Sequence, residues 1–289
     1  MYPSQFEYHA PTSVAEAVEI LGRYDGEERV LAGGQSLIPL LKLRFTTLHA
    51  VVDINRIPGL DTLAVEDGAL RIGALVRHRD CERSPLLKEA RWRVLGEAAP
   101  QIADPVVRNL GTVCGSVAHA DPQGDWGSVM LATGAEVVTA SAAGGRTIPI
   151  ADFFQGPFTT ALEPGEMITE IRLPDPGGRA SGAYLKLERK VGDFATAAVA
   201  VHLAMSDGSV ASAGIALTGV GAQNIKASAA ESAIAGREPT PDAIAEAARL
   251  AAEAADPHDD LRGTAEYKRN VVRVFCQRGL QAAAAAAAA

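Results

Sequence analysis

The chain has 289 residues, of which 47% are hydrophobic and 21% are charged, and its formal net charge is −8. This length accommodates two domains with a sizeable core. The negative charge and an aromatic content of 5% disfavour nucleic acid and anionic membranes as partners.

The cysteines and the first residues bear on the cell compartment. Cys81, Cys114 and Cys276 form no CxxC pair and suit a reducing environment. An iron–sulfur cluster normally takes four thiolates, so this chain cannot ligate one alone. Residues Met1–Ala10 lack the pattern of an export signal, and no apolar run is long enough to span a membrane. We therefore expect a cytoplasmic protein without a transmembrane segment.

The first elements predict a strand, a turn, a helix and a second strand. Ser13–Glu16 reads as a capping box that opens an amphipathic helix. Strand Arg29–Ala32 is followed by Gly33-Gly34, the helical run Leu37–Leu43 and strand Ala50–Ile54. This start is typical of a Rossmann unit, yet neither the GxGxxG fingerprint nor the Walker phosphate loop is present. A bound diphosphate would therefore be held in another way.

The middle of the chain alternates between strands and less regular segments. The pattern predicts a hairpin over Leu63–Ile72 around Asp67-Gly68 and helical character over 84–103, interrupted near Pro85 and Pro100. Residues 106–124 are turn-rich and lack helical periodicity. Further strands are predicted at Glu136–Ala140, Thr147–Ile150 and Met167–Leu173.

The end of the chain predicts an antiparallel sheet backed by helices, which is an α+β arrangement. Pro174–Gly178 is the best linker candidate. The predicted strands after it are Tyr184–Glu188, Thr196–Met205 and Val210–Leu217, and the predicted helices lie near 226–235, 242–255 and 264–281. The tail 282–289 is of low complexity and carries no functional inference.

Two glycine-bearing runs are the main functional signal. They are Ala32-Gly33-Gly34-Gln35-Ser36 and Gly111-Thr112-Val113-Cys114-Gly115-Ser116. Each offers backbone that can be approached closely, N–H donors and small hydroxyl side chains, which suit a diphosphate. Taken alone, either run could be a tight turn without a ligand. Two runs suggest a long anionic cofactor clamped from both sides.

We interpret the candidate catalytic pair and the candidate metal-binding segments as structural features. Cys114 with His119 resembles a nucleophile and base, but no third orienting group is evident. The segments 119–121 and 258–260 contain histidine and aspartate without a partner pair at metal-ligand spacing. We therefore expect neither a catalytic side chain nor a metal site in this chain.

Five segments in order resemble the FAD-binding (medium) subunit of molybdenum hydroxylases. They read AGGQSLIP, IADPVVRNLGTVCGS, HADPQGDWGSVMLATGAEV, EPGEMITEIRLP and YLKLERKVGDFATAAVAV. The carbon monoxide dehydrogenase type is the nearest likeness, and the flavin region of xanthine dehydrogenase is more distant. The resemblance implies a two-lobed FAD-binding domain (PCMH-type) over 1–176, with lobes of about 1–55 and 56–176. A smaller α+β C-terminal domain over 179–281 would follow.

The resemblance also implies where FAD would lie, extended between the two lobes. The positions implied are Ala32, Gly33, Gly34, Gln35, Ser36 and Leu37 on one side of the diphosphate; Thr112, Cys114, Gly115 and Ser116 on the other; Asp125 at the ribityl and diphosphate region; Ile102 and Ile168 at the adenine and flavin portions; and Lys186 at the isoalloxazine edge. From the residues alone, Asp125 could instead cap a helix over Trp126–Thr133, and Lys186 could be a solvent-facing strand lysine.

The chain departs from the family pattern at four of its positions. The family usually has histidine, asparagine or threonine at Gln35, glycine at Cys114, asparagine at Ser116 and often tyrosine at Phe194. Cys114 matters most, because a side chain at a glycine site needs negative φ or free space.

The function implied by the resemblance is redox relay within a three-subunit enzyme. A large subunit would hold the molybdenum cofactor, and a small subunit would hold [2Fe-2S] clusters that deliver electrons to FAD in this chain. Such assemblies are commonly dimers of heterotrimers. Carbon monoxide is the first substrate to consider, with purines or N-heterocycles as alternatives. A stand-alone flavin oxidoreductase and a flavin-less scaffold subunit remain open.

Overall fold

The computed structural model describes residues 2–288, which form α-helices and β-strands in a mixed order. The helices are α1 (Val14–Leu21), α2 (Leu37–Leu43), α3 (His78–Arg83), α4 (Arg93–Ala98), α5 (Pro105–Leu110), α6 (Val113–His119), α7 (Asp125–Thr133), α8 (Ile150–Phe153), α9 (Ser228–Ile234), α10 (Pro241–Ala254) and α11 (Ala265–Ala288). The strands are β1 (Glu7–His9), β2 (Glu28–Leu31), β3 (Ala50–Asp53), β4 (Leu63–Glu66), β5 (Ala69–Gly73), β6 (Glu136–Ala140), β7 (Thr147–Pro149), β8 (Phe154–Gly156), β9 (Thr159–Thr160), β10 (Met167–Pro174), β11 (Ala180–Leu187), β12 (Ala197–Ser206), β13 (Ser209–Thr218) and β14 (Ile225–Lys226).

The first sheet is parallel and has the strand order β1-β3-β2. Helix α1 begins where the capping pattern predicts, since the Ser13 hydroxyl accepts the N–H of Glu16 at 3.2 Å. Its apolar residues Val18 and Leu21 are buried in the main core. Strand β2 then leads through the first glycine run into α2, so this sheet positions that run.

The second sheet has the order β4-β5-β10-β6-β7 and pairs antiparallel throughout. The predicted hairpin at Asp67-Gly68 is confirmed, because both residues adopt positive φ between β4 and β5. Helix α7 lies in the same core as this sheet, with Trp126 and Met130 completely buried. This helix later brings Asp125 into the site.

The turn-rich assignment of 106–124 was wrong, because this segment forms α5 and α6. Each helix is set by its cap: Asp104 Oδ1 accepts the N–H of Val107 at 2.9 Å, and Thr112 Oγ1 accepts the N–H of Gly115 at 3.0 Å. Helices this short do not show an amphipathic period, so the pattern of hydrophobic residues gave no sign of them.

The C-terminal sheet is antiparallel in the order β11-β12-β13-β14 and lies between the rest of the chain and helices α9–α11. On β12, Ala198 and Ala200 belong to the main core, whereas Val199 and Val201 pack in the cluster formed with the helices. The sheet approaches α7 closely, because a Cβ built on Gly214 would lie 1.7 Å from the Ala132 carbonyl oxygen.

The last helix is longer than the sequence predicts, since α11 continues through the alanine tail to Ala288 instead of ending near 281. Alanine has the highest helix propensity, and Ala283 is buried beside α10. The expected fold class is confirmed: mixed helices and strands in an α+β arrangement are followed by an antiparallel sheet backed by helices. Within residues 2–288, no helix combines the length and apolar character needed to cross a membrane.

Candidate functional site

The two glycine runs lie directly against each other. A Cβ built on Gly33 would lie 2.3 Å from the carbonyl oxygen of Leu110 and 2.7 Å from the Cα of Gly111. Side-chain carbons essentially never come this close to backbone atoms, so only glycine fits at position 33. The runs, far apart in sequence, therefore form one continuous backbone surface.

The first run presents its N–H groups without using them internally. In the part of the chain that the structure describes, residues 33–37 donate no N–H to another backbone group. Gly34 has φ of 70°, and Ser36 precedes α2 without a side-chain cap. The Gln35 amide donates back to the Gly33 carbonyl at 3.2 Å. Consecutive free amides at the start of a helix form a concavity that suits an anion.

The second run is buried over its first four residues and more exposed at its last two. Thr112 is buried, and its hydroxyl is occupied as the cap of α6. Gly115 is exposed and Ser116 is half-buried, so this part of the run is open to a ligand. The Thr112 side chain therefore shapes the helix start and takes the Gly115 N–H, whereas the exposed Cα of Gly115 allows close approach and the Ser116 hydroxyl is available for contacts.

Cys114 is accommodated because its side chain points into the core. It lies inside α6 with helical rather than positive φ, and its thiol contacts the Ile72 carbonyl oxygen at 3.5 Å. Burial raises the pKa of this thiol well above its ordinary value. A nucleophilic role together with His119 is thus excluded, and only the backbone of Cys114 can face a ligand. Among residues 2–288, no three His, Cys, Asp or Glu side chains cluster as metal ligands would.

The buried residue His78 contacts the second run from the protein interior. The N–H of His78 donates to the Gly111 carbonyl at 2.9 Å, and His78 Nδ1 accepts the Trp126 indole N–H at 3.0 Å. A Cβ on Gly111 would lie 2.7 Å from His78 Nε2. Burial, followed by the nearby positive charge of Arg108, lowers the pKa of His78 to about 4. The ring is therefore neutral at physiological pH.

This buried histidine makes stability depend on pH. Its pKa of about 4 in the folded chain lies below the ordinary 6.5, so the unfolded chain binds the proton first as pH falls. Above pH 6.5 this effect does not reduce stability. As pH falls from 6.5 toward 4, the free energy of unfolding decreases by about 3 kcal/mol in total. We expect His78→Asn, whose side-chain oxygen can still accept from Trp126, to flatten this part of the profile. Urea unfolding of both proteins between pH 4 and 7 measures it, and parallel profiles would contradict the prediction.

Asp125 and Lys186 form a buried pair rather than a helix cap and a surface lysine. Helix α7 begins at Asp125, with Gly124 as its cap residue. Asp125 Oδ2 lies 3.1 Å from Lys186 Nζ, and Asp125 Oδ1 accepts the Tyr184 hydroxyl at 2.6 Å. The Lys186 side chain is 1% exposed. Burial raises the pKa of Asp125, and the positive charge of Lys186 opposes this rise.

Lys186 also joins this pair to the segment that contains Ile102. Its Nζ donates to the Gln101 carbonyl at 2.9 Å, and Arg108 Nη1 donates to the Ile102 carbonyl at 3.0 Å. Ala103 follows with φ of 46°, close against Gly192. The structure thus brings Ile102, Asp125 and Lys186 together through backbone and charged contacts.

Ile168 and Phe194 have apolar side chains and do not belong to this charged group. Ile168 is buried on β10 opposite Thr139, next to a register shift in the strand pairing. Its side chain belongs to the main core, so its backbone is the part that can reach a ligand. Phe194 is 49% exposed, and Arg262 Nη1 donates to its carbonyl at 2.7 Å.

Two polar residues that the sequence interpretation did not include connect the glycine runs. Asn55 Nδ2 donates to the Ala32 carbonyl at 2.8 Å. Arg77 donates to Asn55 Oδ1 at 2.5 Å and also to the Leu110 carbonyl. Asn55 lies two residues after β3, in a short 3₁₀ turn just beyond the end of a parallel strand, where ligand sites commonly lie. That position was the only signal available for it, and Arg77 had none.

Comparisons with known proteins agree with this geometry. A family model described as "FAD binding domain in molybdopterin dehydrogenase" matches residues 4–176, and one described as "CO dehydrogenase flavoprotein C-terminal domain" matches residues 182–283. The carbon monoxide dehydrogenase medium chain of Hydrogenophaga pseudoflava is 41% identical, with 98% of each chain covered.

Solved structures show the same relationship. A chain of carbon monoxide dehydrogenase from Hydrogenophaga pseudoflava superposes with a TM-score of 0.94 at 43% identity, covering 99% of each chain. A chain of quinoline 2-oxidoreductase from Pseudomonas putida 86 does so with a TM-score of 0.89 at 32% identity, again covering 99% of each. The resemblance found in the sequence is confirmed, and the chain belongs to the family of FAD-binding medium subunits of molybdenum hydroxylases.

Proposed function

We propose that this chain is the FAD-binding electron-transfer subunit of a molybdenum-containing dehydrogenase. It takes electrons from [2Fe-2S] clusters of a small partner subunit and passes them to an external acceptor. A large partner subunit carries the molybdenum cofactor and oxidises the substrate. The observation that carries the proposal is the run of unused N–H groups at residues 33–37, held against the second glycine run.

The residues present fit a dinucleotide diphosphate. Free amides at residues 33–37 supply donors on one side, and the exposed Gly115 and the half-buried Ser116 hydroxyl offer close approach and a donor on the other. The residues that would hold FAD are those expected from the sequence, namely Ala32, Gly33, Gly34, Gln35, Ser36, Leu37, Ile102, Thr112, Cys114, Gly115, Ser116, Asp125, Ile168 and Lys186. When bound, FAD supplies the redox chemistry, and the protein supplies binding and electrostatics.

The buried groups around Asp125 and Lys186 orient the backbone near Ile102. Lys186 holds the Gln101 carbonyl, and Arg108 holds the next carbonyl, so the segment around Ile102 is fixed from its inner side. Asp125 places a carboxylate beside the Tyr184 hydroxyl and the Lys186 ammonium. Because these groups are bonded to one another without a ligand, this part of the candidate site is preorganised.

The partners and the domain boundaries follow from the same proposal. The free cysteines Cys81, Cys114 and Cys276 are each buried, which supports placing the iron–sulfur clusters on another subunit and the protein in the cytoplasm. We assign the FAD-binding domain to 1–176, with lobes of about 1–55 and 56–176, and the C-terminal domain to 179–281. The assembly is a dimer of heterotrimers.

The substrate belongs to the large subunit, so this chain points to it only by relationship. Identity of 41% to a carbon monoxide dehydrogenase medium chain favours that type. The second candidate is a dehydrogenase for N-heterocycles or purines, favoured by the superposition with quinoline 2-oxidoreductase at a TM-score of 0.89.

Purification of the native assembly tests the proposal. We expect visible flavin absorbance, release of FAD on denaturation, and co-purification of molybdenum and iron with two further subunits. Carbon monoxide and quinoline, supplied with an artificial acceptor, distinguish the two substrate candidates. An assembly without flavin would indicate a scaffold subunit, and full activity of this chain alone would indicate a stand-alone oxidoreductase. Either result would overturn the proposal.

A further inference from the structure

A polar path joins the two glycine runs through Arg77. From the first run, the Ala32 carbonyl accepts from Asn55 Nδ2 at 2.8 Å. Asn55 Oδ1 accepts from Arg77 Nη2 at 2.5 Å, and Arg77 Nη1 donates to the Leu110 carbonyl in front of the second run. That same carbonyl lies against Gly33. The Arg77 guanidinium is thus hydrogen-bonded, directly or through Asn55, to the backbone on both sides of the contact between the two runs.

The backbone around Arg77 holds this guanidinium at the junction. Arg77 precedes α3 and forms a β-bridge with Thr112. The neighbouring bonds run from Val113 N–H to the Val76 carbonyl at 3.1 Å and from His78 N–H to the Gly111 carbonyl at 2.9 Å. The second run is therefore bound to the same short segment that carries Arg77.

The charge of Arg77 is not neutralised by a directly bonded carboxylate. The two groups that accept hydrogen bonds from the Arg77 side chain, the Leu110 carbonyl and Asn55 Oδ1, are neutral. Within residues 2–288 no carboxylate oxygen lies within 4 Å of the Arg77 guanidinium. Other partly buried arginines are paired, as Arg108 is with Glu82 at 2.9 Å and Arg91 with Asp175 at 2.6 Å. Burial lowers the pKa of Arg77, and the more distant Asp80 and Asp53 oppose this change. A guanidinium nevertheless stays protonated.

We propose that Arg77 is a positioning residue for the cofactor: it ties the two glycine runs together and supplies the positive charge that the FAD diphosphate neutralises. This inference rests on the proposed function. Arginine suits both tasks, because its planar fork bonds two acceptors at once while the charge remains available.

The test is FAD titration into the deflavinated full chain. We expect Arg77→Met to raise the Kd about 10- to 100-fold, the effect of losing a charge-assisted contact. Its Kd should also depend less steeply on salt concentration, since one positive charge is gone. Arg77→Lys keeps the charge, so the salt dependence should persist with a smaller loss of affinity. Arg79→Met, a change of a nearby arginine on α3 whose guanidinium contacts Asp80 and Asn109 instead, is the matched control and should leave the Kd unchanged.

Asn55→Ala tests the tie separately from the charge. It should raise the Kd, and combining it with Arg77→Met should add less than the sum of the two effects, because both act on one path. Should Arg77→Met fail to fold, Arg77→Lys and Asn55→Ala carry the same comparison, with thermal unfolding of the FAD-free proteins as the folding check.

The outcomes separate this inference from the proposed function. If the unaltered chain does not bind FAD, the proposed function fails. If the unaltered chain binds FAD while Arg77→Met and Arg79→Met bind it equally well, only the role of Arg77 is refuted. If the Met and Lys variants lose affinity equally and the salt dependence does not change, the charge plays no part and the proposal is overturned.

Discussion

Replacing Gly33 with valine should severely weaken FAD binding by this chain. A Cβ at this position would lie 2.3 Å from the Leu110 carbonyl oxygen and 2.7 Å from the Gly111 Cα. Both neighbours are backbone, so the side chain cannot be accommodated by a rotamer change, and the two runs must separate. Each hydrogen bond lost to the charged diphosphate costs about 1.5–3 kcal/mol, so with several of them displaced we expect the Kd for FAD to rise by at least about 100-fold.

The flavin content of the purified assembly and FAD titration of the deflavinated chain measure this effect. Gly178→Val is the matched control, because a Cβ there meets nothing within 4 Å and the residue lies in the connection between β10 and β11. The control should bind FAD normally. If Gly33→Val retained FAD with unchanged affinity, the contact between the two runs would have no part in cofactor binding.

Features encoded by adjacent residues were predictable from the sequence. The capping pattern at Ser13–Glu16 gives α1, and Asp67-Gly68 gives the turn between β4 and β5. Strand, glycine turn and helix around Gly33-Gly34 also follow their local signals. Each of these depends on backbone preferences within a few residues, which one sequence displays directly.

Features set by distant residues were not predictable in this way. The order β1-β3-β2 is a choice among strand pairings that no local pattern expresses. Helices α5 and α6 are short and defined by single caps at Asp104 and Thr112, so hydrophobic periodicity could not show them. Strand β1, with only three residues, likewise gave no signal of its own.

The site shows the same division. The glycine runs predicted a diphosphate site, because glycine allows backbone conformations and close approaches that other residues do not. The direction in which Cys114 points was undetermined, since a glycine position within a helix accepts a side chain when it faces a core with space. The connection of Asn55 to Arg77 and the pairing of Asp125 with Lys186 join elements far apart in the chain. Only the folded structure reveals such partners, and the contacts to FAD stay predictions.

The buried pair links the two parts of the fold, since Asp125 lies on α7 and Lys186 on β11 of the C-terminal sheet. The close approach of Gly214 to Ala132 holds the same helix against the same sheet. If water filled the contact between α7 and the C-terminal sheet, the Lys186 ammonium could turn toward solvent. Here the lysine side chain is 1% exposed, so its charge must be compensated within the protein.

Replacing Lys186 with methionine should lower the free energy of unfolding by about 3–5 kcal/mol, because the buried Asp125 loses its positive partner and so does Glu188, which lies 3.5 Å from Lys186 Nζ. The loss should be greatest at neutral pH and shrink toward acidic pH. There Asp125, whose pKa burial already raises, takes up a proton and no longer needs a partner. Denaturant unfolding of the FAD-free chain from pH 4 to 8 measures this.

The matched control for this change is Lys226→Met, which removes a lysine of the same sheet that pairs with Glu231 at 2.9 Å but is 35% exposed. A pair so accessible to solvent is worth at most about 1 kcal/mol. The double variant Lys186→Met/Asp125→Asn should recover part of the loss, because it leaves only the more exposed Glu188 without its partner while the introduced amide can still bond to Tyr184. Equal losses for Lys186→Met and Lys226→Met, with no dependence on pH, would mean that the Lys186 charge is not what joins α7 to the C-terminal sheet.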